Sequence, residues 1–303
     1  MTGRVPAARL AAAVEDIAAG GVDDRELRAR ILEVVKAFIP FDAYAFLLTD
    51  PATSVGCSPV AMVPDLASLP SLIRMKYLTP VNRWTALPSS GSASLAQATT
   101  GHPEGSQQWR DYLARFGIAD VASVVFTDRF GWWGFLDLWR HDGFFTADEV
   151  AALSHGIATV TSLLRGAQAA GFRTTESHPA DRGPGALVLS PALDIRVETT
   201  QAEEWFTALV PPQGGRSPIP ASAYNVAAQL LAVEAGVDSH PAQARVHLGG
   251  GTWLTLRADR LAGGEPAEQR DIMVTMEASS PAERRDIFSR SHGLTKRESE
   301  LLR

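Results

Sequence analysis

The stretch VASVVFTDRFGWWGFLDLW, beginning at Val121, constrains the fold more than any other part of the chain. Apolar and polar residues alternate along it, and only residues 128–131 interrupt the pattern, with the composition of a hairpin turn. Two antiparallel strands are therefore expected, and the apolar face of such a sheet needs a cover. The cover comes next in the chain. Thr146 stands three residues before Glu149, a capping box, and Val150, Leu153, Ile157, Val160 and Leu164 follow in steps of three and four. Upstream, Leu10, Val14 and Ile17 predict one helix and Leu27, Ile31, Val34, Val35 and Phe38 another, parted at Gly20 and Gly21. FDAYAFLLTD from Phe41 and the run at 60–63 read as shorter strands, and helices are expected at 66–77 and 106–116. The order of these elements is that of an α+β domain.

A chain of 303 residues favours about two domains. Residues 169–185, AAGFRTTESHPADRGPG, have no periodicity and are rich in Gly, Pro and polar residues, so the boundary is placed there. The division is 1–21 as an N-terminal helix, 22–168 as the first domain, 169–185 as linker, 186–279 as a smaller α+β domain and 280–303 as a helical end. In the second domain a strand is expected at 186–190, helices at 201–209 and 221–235, and strands at 244–248, 253–261 and 271–277. Gly249 to Gly251 read as the turn between two of those strands, and no internal repeat is visible.

The last part of the chain carries the most specific signal. Ser280, Pro281 and Glu283 predict a helix start and Gly293 its end; Thr295 and Glu298 form another capping box at once. Leu294, Thr295, Arg297, Glu298, Glu300 and Leu302 match the pattern Leu-Thr-x-Arg-Glu-x-Glu-x-Leu, and the segment resembles the opening of the LuxR-type helix-turn-helix domain. The resemblance implies a module of about four helices, a later one of which enters the major groove, and it implies that this chain stops inside the first. The matching residues belong to the scaffold helix, so no DNA contact falls on any of them. More loosely, through FDAYAFLLTD and GTWLTLRADRL, the upstream part resembles actinobacterial regulators that place a GAF-like and then a PAS-like domain before that module. The GAF-like stretch lacks the Asn-Lys and Asp-Glu pattern associated with cyclic nucleotides, and the PAS-like stretch has Thr199 and Thr200 where an Asn is often found.

Composition narrows the chemistry. A net charge of −6 argues against nonspecific nucleic-acid binding over the whole surface, although residues 283–303 hold six basic against four acidic side chains. No apolar run approaches the roughly 18 residues needed to cross a bilayer, and Glu15 and Asp16 fall where a signal peptide needs an apolar stretch, so a cytoplasmic protein is expected. The single cysteine, Cys57, excludes an internal disulfide, and with no histidine after it, as a bilin-attachment cysteine would have, it reads as a small core residue. The seven histidines show no metal-ligand spacing, and neither a nucleophile elbow nor a phosphate loop is present. No metal, no cofactor and no catalysis are expected.

Aromatic residues remain. Phe46, Tyr77, Trp84, Phe126 and Trp132 are the candidates to line a ligand cavity between sheet and helices, for an apolar or aromatic small molecule; filling the core is the simpler role for any one of them. The stripe from Val150 to Leu164 has two readings: packing on its own sheet, or pairing with a second copy as a homodimer, Leu10, Val14 and Ile17 joining in. Together these features lead to the expectation of the sensory region of a LuxR-family transcription regulator, binding a small molecule or partner in its GAF-like domain and acting on DNA through its C-terminal domain. The alternatives are an interaction module that heterodimerises with a full-length regulator, and a small-molecule-modifying enzyme on a GAF-like scaffold.

Overall fold

The computed structural model describes residues 7–19, 23–87, 90–172, 182–209, 218–248 and 251–302. In chain order its elements are α1 (Ala7–Glu15), α2 (Asp24–Phe38), β1 (Ala43–Thr49), β2 (Gly56–Met62), α3 (Leu69–Leu78), β3 (Ser92–Ser94), α4 (Leu95–Ala98), α5 (Gln107–Asp111), β4 (Asp120–Asp128), β5 (Gly131–Arg140) and α6 (Ala147–Ala170). They continue with β6 (Gly185–Leu189), β7 (Ile195–Glu198), α7 (Thr200–Leu209), α8 (Ala221–Glu234), β8 (Gln243–His247), β9 (Trp253–Arg260), β10 (Ile272–Ala278), α9 (Pro281–Ser291) and α10 (Lys296–Leu301). The protein is α+β, as expected, with two five-stranded antiparallel sheets and flanking helices. Contacts divide it into one unit of Met1–Leu48, Pro59–Leu66 and Thr79–Ala167, and another of Thr49–Ser58, Ala67–Leu78 and Gln168–Arg303.

The first sheet has the order β2-β1-β5-β4-β3 and the second β7-β6-β10-β9-β8. Counted from its own first strand, each reads 2-1-5-4-3. The chain thus repeats a topology without repeating a sequence, because strand order depends on turns and buried faces, which many residue choices satisfy.

The β4–β5 hairpin is tied to the helix that covers it. At its tip the Asp128 carboxylate accepts the N–H groups of Phe130 (2.8 Å) and Gly131 (3.2 Å), and its other oxygen meets Arg165 of α6 at 2.7 Å. α6 begins on the expected capping box: the Thr146 N–H donates to Glu149 (2.7 Å) and the Glu149 N–H to the Thr146 hydroxyl (3.2 Å). Burial would raise the Glu149 carboxyl, but the bonds from Arg140 and Thr146 hold it below the usual range. In β5, a Cβ on Gly134 would lie 2.9 Å from both Leu164 of α6 and the Leu47 carbonyl oxygen, so the close approach of helix and strand requires glycine. Val150, Leu153, Val160 and Leu164 are all buried, as are Leu10 and Val14 of α1. The stripe is therefore spent on the chain's own sheet and helices. Ile157 alone of the five stays half-buried.

In the second unit α8 is buried at nearly every position from Ala221 to Ala232 and lies against both β9 and α3. Its alanines allow that close packing on more than one side. Of the segment read as linker, residues 169–170 close α6 and residue 185 opens β6, while 173–181 lie outside the described residues, as do Gly20, Gly21, Gly249 and Gly250. A bond from the Leu248 N–H to the Thr252 carbonyl (2.9 Å) closes the β8–β9 connection.

Four local expectations change. The helix expected over 106–116 is α5 followed by a short 3-10 turn at Leu113–Phe116, with the break at Tyr112, whose fully buried ring packs on Phe116 with centroids 5.0 Å apart. α3 starts at Leu69 rather than residue 66, with Pro70 in its first turn. β2 runs over Gly56–Met62 and contains Pro59, tolerated because the strand lies at the sheet edge. β3 and β7 were not legible, being three and four residues long.

Candidate functional site

Cross-strand partners share a face, so the register of the first sheet sorts the five expected pocket residues. Phe46 of β1 faces Leu136 and Phe126 of β4 faces Gly134, so Phe46 and Phe126 lie on the face that α6 covers, with ring centroids 5.5 Å apart. On that side a cavity of about 20 Å³ is lined by Leu10, Val14, Val124, Phe126, Leu136 and Val160 among others. Its volume admits about one water and its lining is apolar, so as it stands it holds no metabolite.

Trp84 and Trp132 belong to the other face. Phe135 is the strand neighbour of Leu136 and points the opposite way; Trp84 stacks on it at 4.8 Å and 13°, and Trp132 meets it edge-on at 6.0 Å. A shift in register at Phe126 and Thr127 lets Trp132 join that face. The same face carries Asp137, only 3% exposed, with Ala45 and Ser123 as its cross-strand neighbours. Its carboxylate accepts the Trp84 indole N–H at 2.9 Å. Tyr77 belongs to the other unit, where its hydroxyl accepts the Gly56 N–H at 2.9 Å; burial, only partly countered by that bond, pushes its ionisation well above the usual tyrosine range. The five candidates thus form two separate pairs and one residue apart. Asp137 was missed, although a carboxylate inside the alternating run LDLW is a signal, since an inward charge is retained only where it has partners.

A second constellation surrounds Arg245 of β8. Its guanidinium forks onto Asp50, Nε at 2.7 Å from one oxygen and Nη2 at 2.7 Å from the other, while its backbone N–H adds a bond of 2.8 Å. Nη1 reaches Asp286 of α9 at 2.8 Å and the Glu283 carbonyl at 3.2 Å. Burial works against the charge of Arg245, but the bonds it donates to Asp50 and then Asp286 outweigh it and bind its proton more tightly than usual. One side chain therefore joins the residue that follows β1 to the middle of α9. It too sits between apolar residues of a strand, Ala244 and Val246, and its partner lies 195 positions away.

α9 is held a second time by an aromatic cluster. Phe172, just beyond α6, stacks on Trp253 at 4.9 Å and meets Phe288 edge-on at 5.3 Å; Phe288 stacks on His292 at 4.0 Å. Both expected capping boxes at the end of the chain are formed, at Ser280 with Glu283 and at Thr295 with Glu298. Gly293 takes the left-handed φ of 66° that lets α10 follow α9 at once. Leu301, the last residue of α10, is 83% exposed and its C-cap Leu302 44%.

Among the described residues no group of three or more His, Cys, Asp or Glu is placed to hold a metal ion, and no helix is long and apolar enough to cross a membrane. Cys57 is buried and forms no disulfide. No protein-family model matches the chain, and no curated protein does. Among solved structures the chain is similar to the crystal structure of a bacteriophytochrome from the photosynthetic bacterium R. palustris, at 12% identity over 98% of this chain and 74% of that one, with a TM-score of 0.37.

Proposed function

We propose that this chain is the sensory region of a LuxR-type transcription regulator, in which the first unit takes up a small molecule or partner and α10 is the first helix of the DNA-binding module. The observation that carries the reading is the end of the chain: a capped α9, a left-handed Gly293, and a capped α10 that bears the LuxR-like residues and turns Leu301 and Leu302 outward. Apolar side chains on a short helix need a partner surface, and the later helices of such a module supply one.

The contacts on α9 give this reading a route for control. Arg245 ties Asp286 to Asp50, which follows β1, and Phe172, which follows α6, packs on Trp253 and Phe288. A ligand taken up by the first unit then acts on α9 to the extent that it binds two states of the chain with different affinity. The action is a shift in population without catalysis, in the cytoplasm, on DNA. The reading frame past Arg303 tests it: the expected continuation encodes the remaining helices of the module, and any other continuation removes the DNA-binding part of the proposal.

A further inference from the structure

Within the first unit, the buried indole of Trp84 is both stacked and hydrogen-bonded on one face of the sheet. A carboxylate is costly to take out of water, and at Asp137 one of its partners is the indole N–H of Trp84, an aromatic group delivered by a single 3-10 turn, Trp84–Ala86. The indole lies flat on Phe135, with Trp132 against the edge of the same ring. The platform, the acceptor and the edge come from the rigid strand β5, whereas the indole comes from a three-residue turn between connecting segments. A ring platform with a buried acceptor at its edge is what a binding site for a flat ring needs.

We propose that the first unit binds a flat aromatic molecule carrying an N–H donor, which takes over the stacking on Phe135 and the bond to Asp137 and displaces the Trp84 side chain. This rests on the reading of the unit as a sensor and names the class of molecule it senses. The occupant's own shape sets the specificity: the site is the size of an indole, and its carboxylate accepts and does not donate. A ring of the same size without the N–H leaves a buried acceptor short of one bond, and sites of that kind reject such analogues strongly.

Indole and 1-methylindole, which differ at that one position, test the proposal by calorimetric titration of the whole chain. Indole is expected to bind at least about tenfold more tightly than 1-methylindole, the difference one hydrogen bond to a buried acceptor makes. The side-chain N–H resonance of Trp84, assigned by its loss in Trp84→Phe, is expected to move toward its solvent-exposed position as indole is added. Trp84→Phe keeps a ring over Phe135 but removes the competing donor, so it is expected to bind indole about tenfold more tightly than the unaltered chain. Binding of neither compound, or equal binding of both, overturns the proposal, as does indole binding with the Trp84 resonance unmoved. Should Trp84→Phe fail to fold, the pair of compounds on the unaltered chain decides. None of these results bears on whether α10 starts a DNA-binding module.

Discussion

Changing Arg245 to methionine is expected to destabilise the second unit by about 4 kcal/mol, the cost of breaking a buried ion pair by removing one partner. Methionine keeps much of the stem's volume, so the loss comes chiefly from charge. Asp50 would remain buried with only backbone donors, among them the Ala52 N–H at 2.9 Å and the Arg245 N–H at 2.8 Å. Lysine in the same position keeps the charge but loses the fork, so it cannot hold both Asp50 oxygens and Asp286 together. Urea denaturation measures the stability, and hydrogen exchange over α9 shows where it is lost. The account expects faster exchange from Arg284 to His292 in both variants, the larger change in Arg245→Met. A loss under about 1 kcal/mol with unchanged exchange on α9 would mean that Arg245 does not anchor that helix.

Trp84→Ala is expected to cost a similar amount, about 4 kcal/mol, in the first unit. It removes a stacked, buried ring and takes one hydrogen bond from the Asp137 carboxylate. Trp84→Phe keeps the stacking and is expected to cost about half as much. Thermal or urea unfolding of the two variants separates the contributions. Equal stabilities for the two would show that the ring itself contributes nothing beyond its N–H.

What the sequence made legible was local. The β4–β5 hairpin, α6 with its Thr146 and Glu149 box, and the boxes at Ser280 and Thr295 are written in residues one to four positions apart, and each is present. β7 was missed because Ile195–Glu198 is too short for alternation to stand out, and β3, Ser92–Ser94, is entirely polar or small. The site was only half legible for a different reason. Phe46 and Phe126 do meet, but Trp84 and Trp132 stand on the other face of the sheet, which a list of aromatics cannot distinguish without register. The charges that organise the two constellations, Asp137 and Arg245, pair with residues 53 and 195 positions away. No spacing rule connects such partners. A charged residue between apolar neighbours on a strand was the signal available, and it identifies the residue but not its partner.

The stripe on α6 shows the same limit from the other side. Steps of three and four fit a dimer seam and a helix on its own sheet equally well, and it is the burial of Leu10, Val14, Leu153 and Leu164 within one chain that shows the packing on its own sheet. The capping box at Thr295 has no such ambiguity, since both of its bonds, the Thr295 N–H to Glu298 at 2.8 Å and the Glu298 N–H to the Thr295 hydroxyl at 3.3 Å, lie within four residues.

The central claim is that α10 starts a DNA-reading unit governed by what precedes it. Selection from a random duplex library, using the product of the complete reading frame, measures this directly. The account predicts enrichment of one sequence, with base-specific binding that this 303-residue chain alone does not show and that Arg245→Met alters in the longer protein. Recovery of the library unenriched by the longer protein would contradict it.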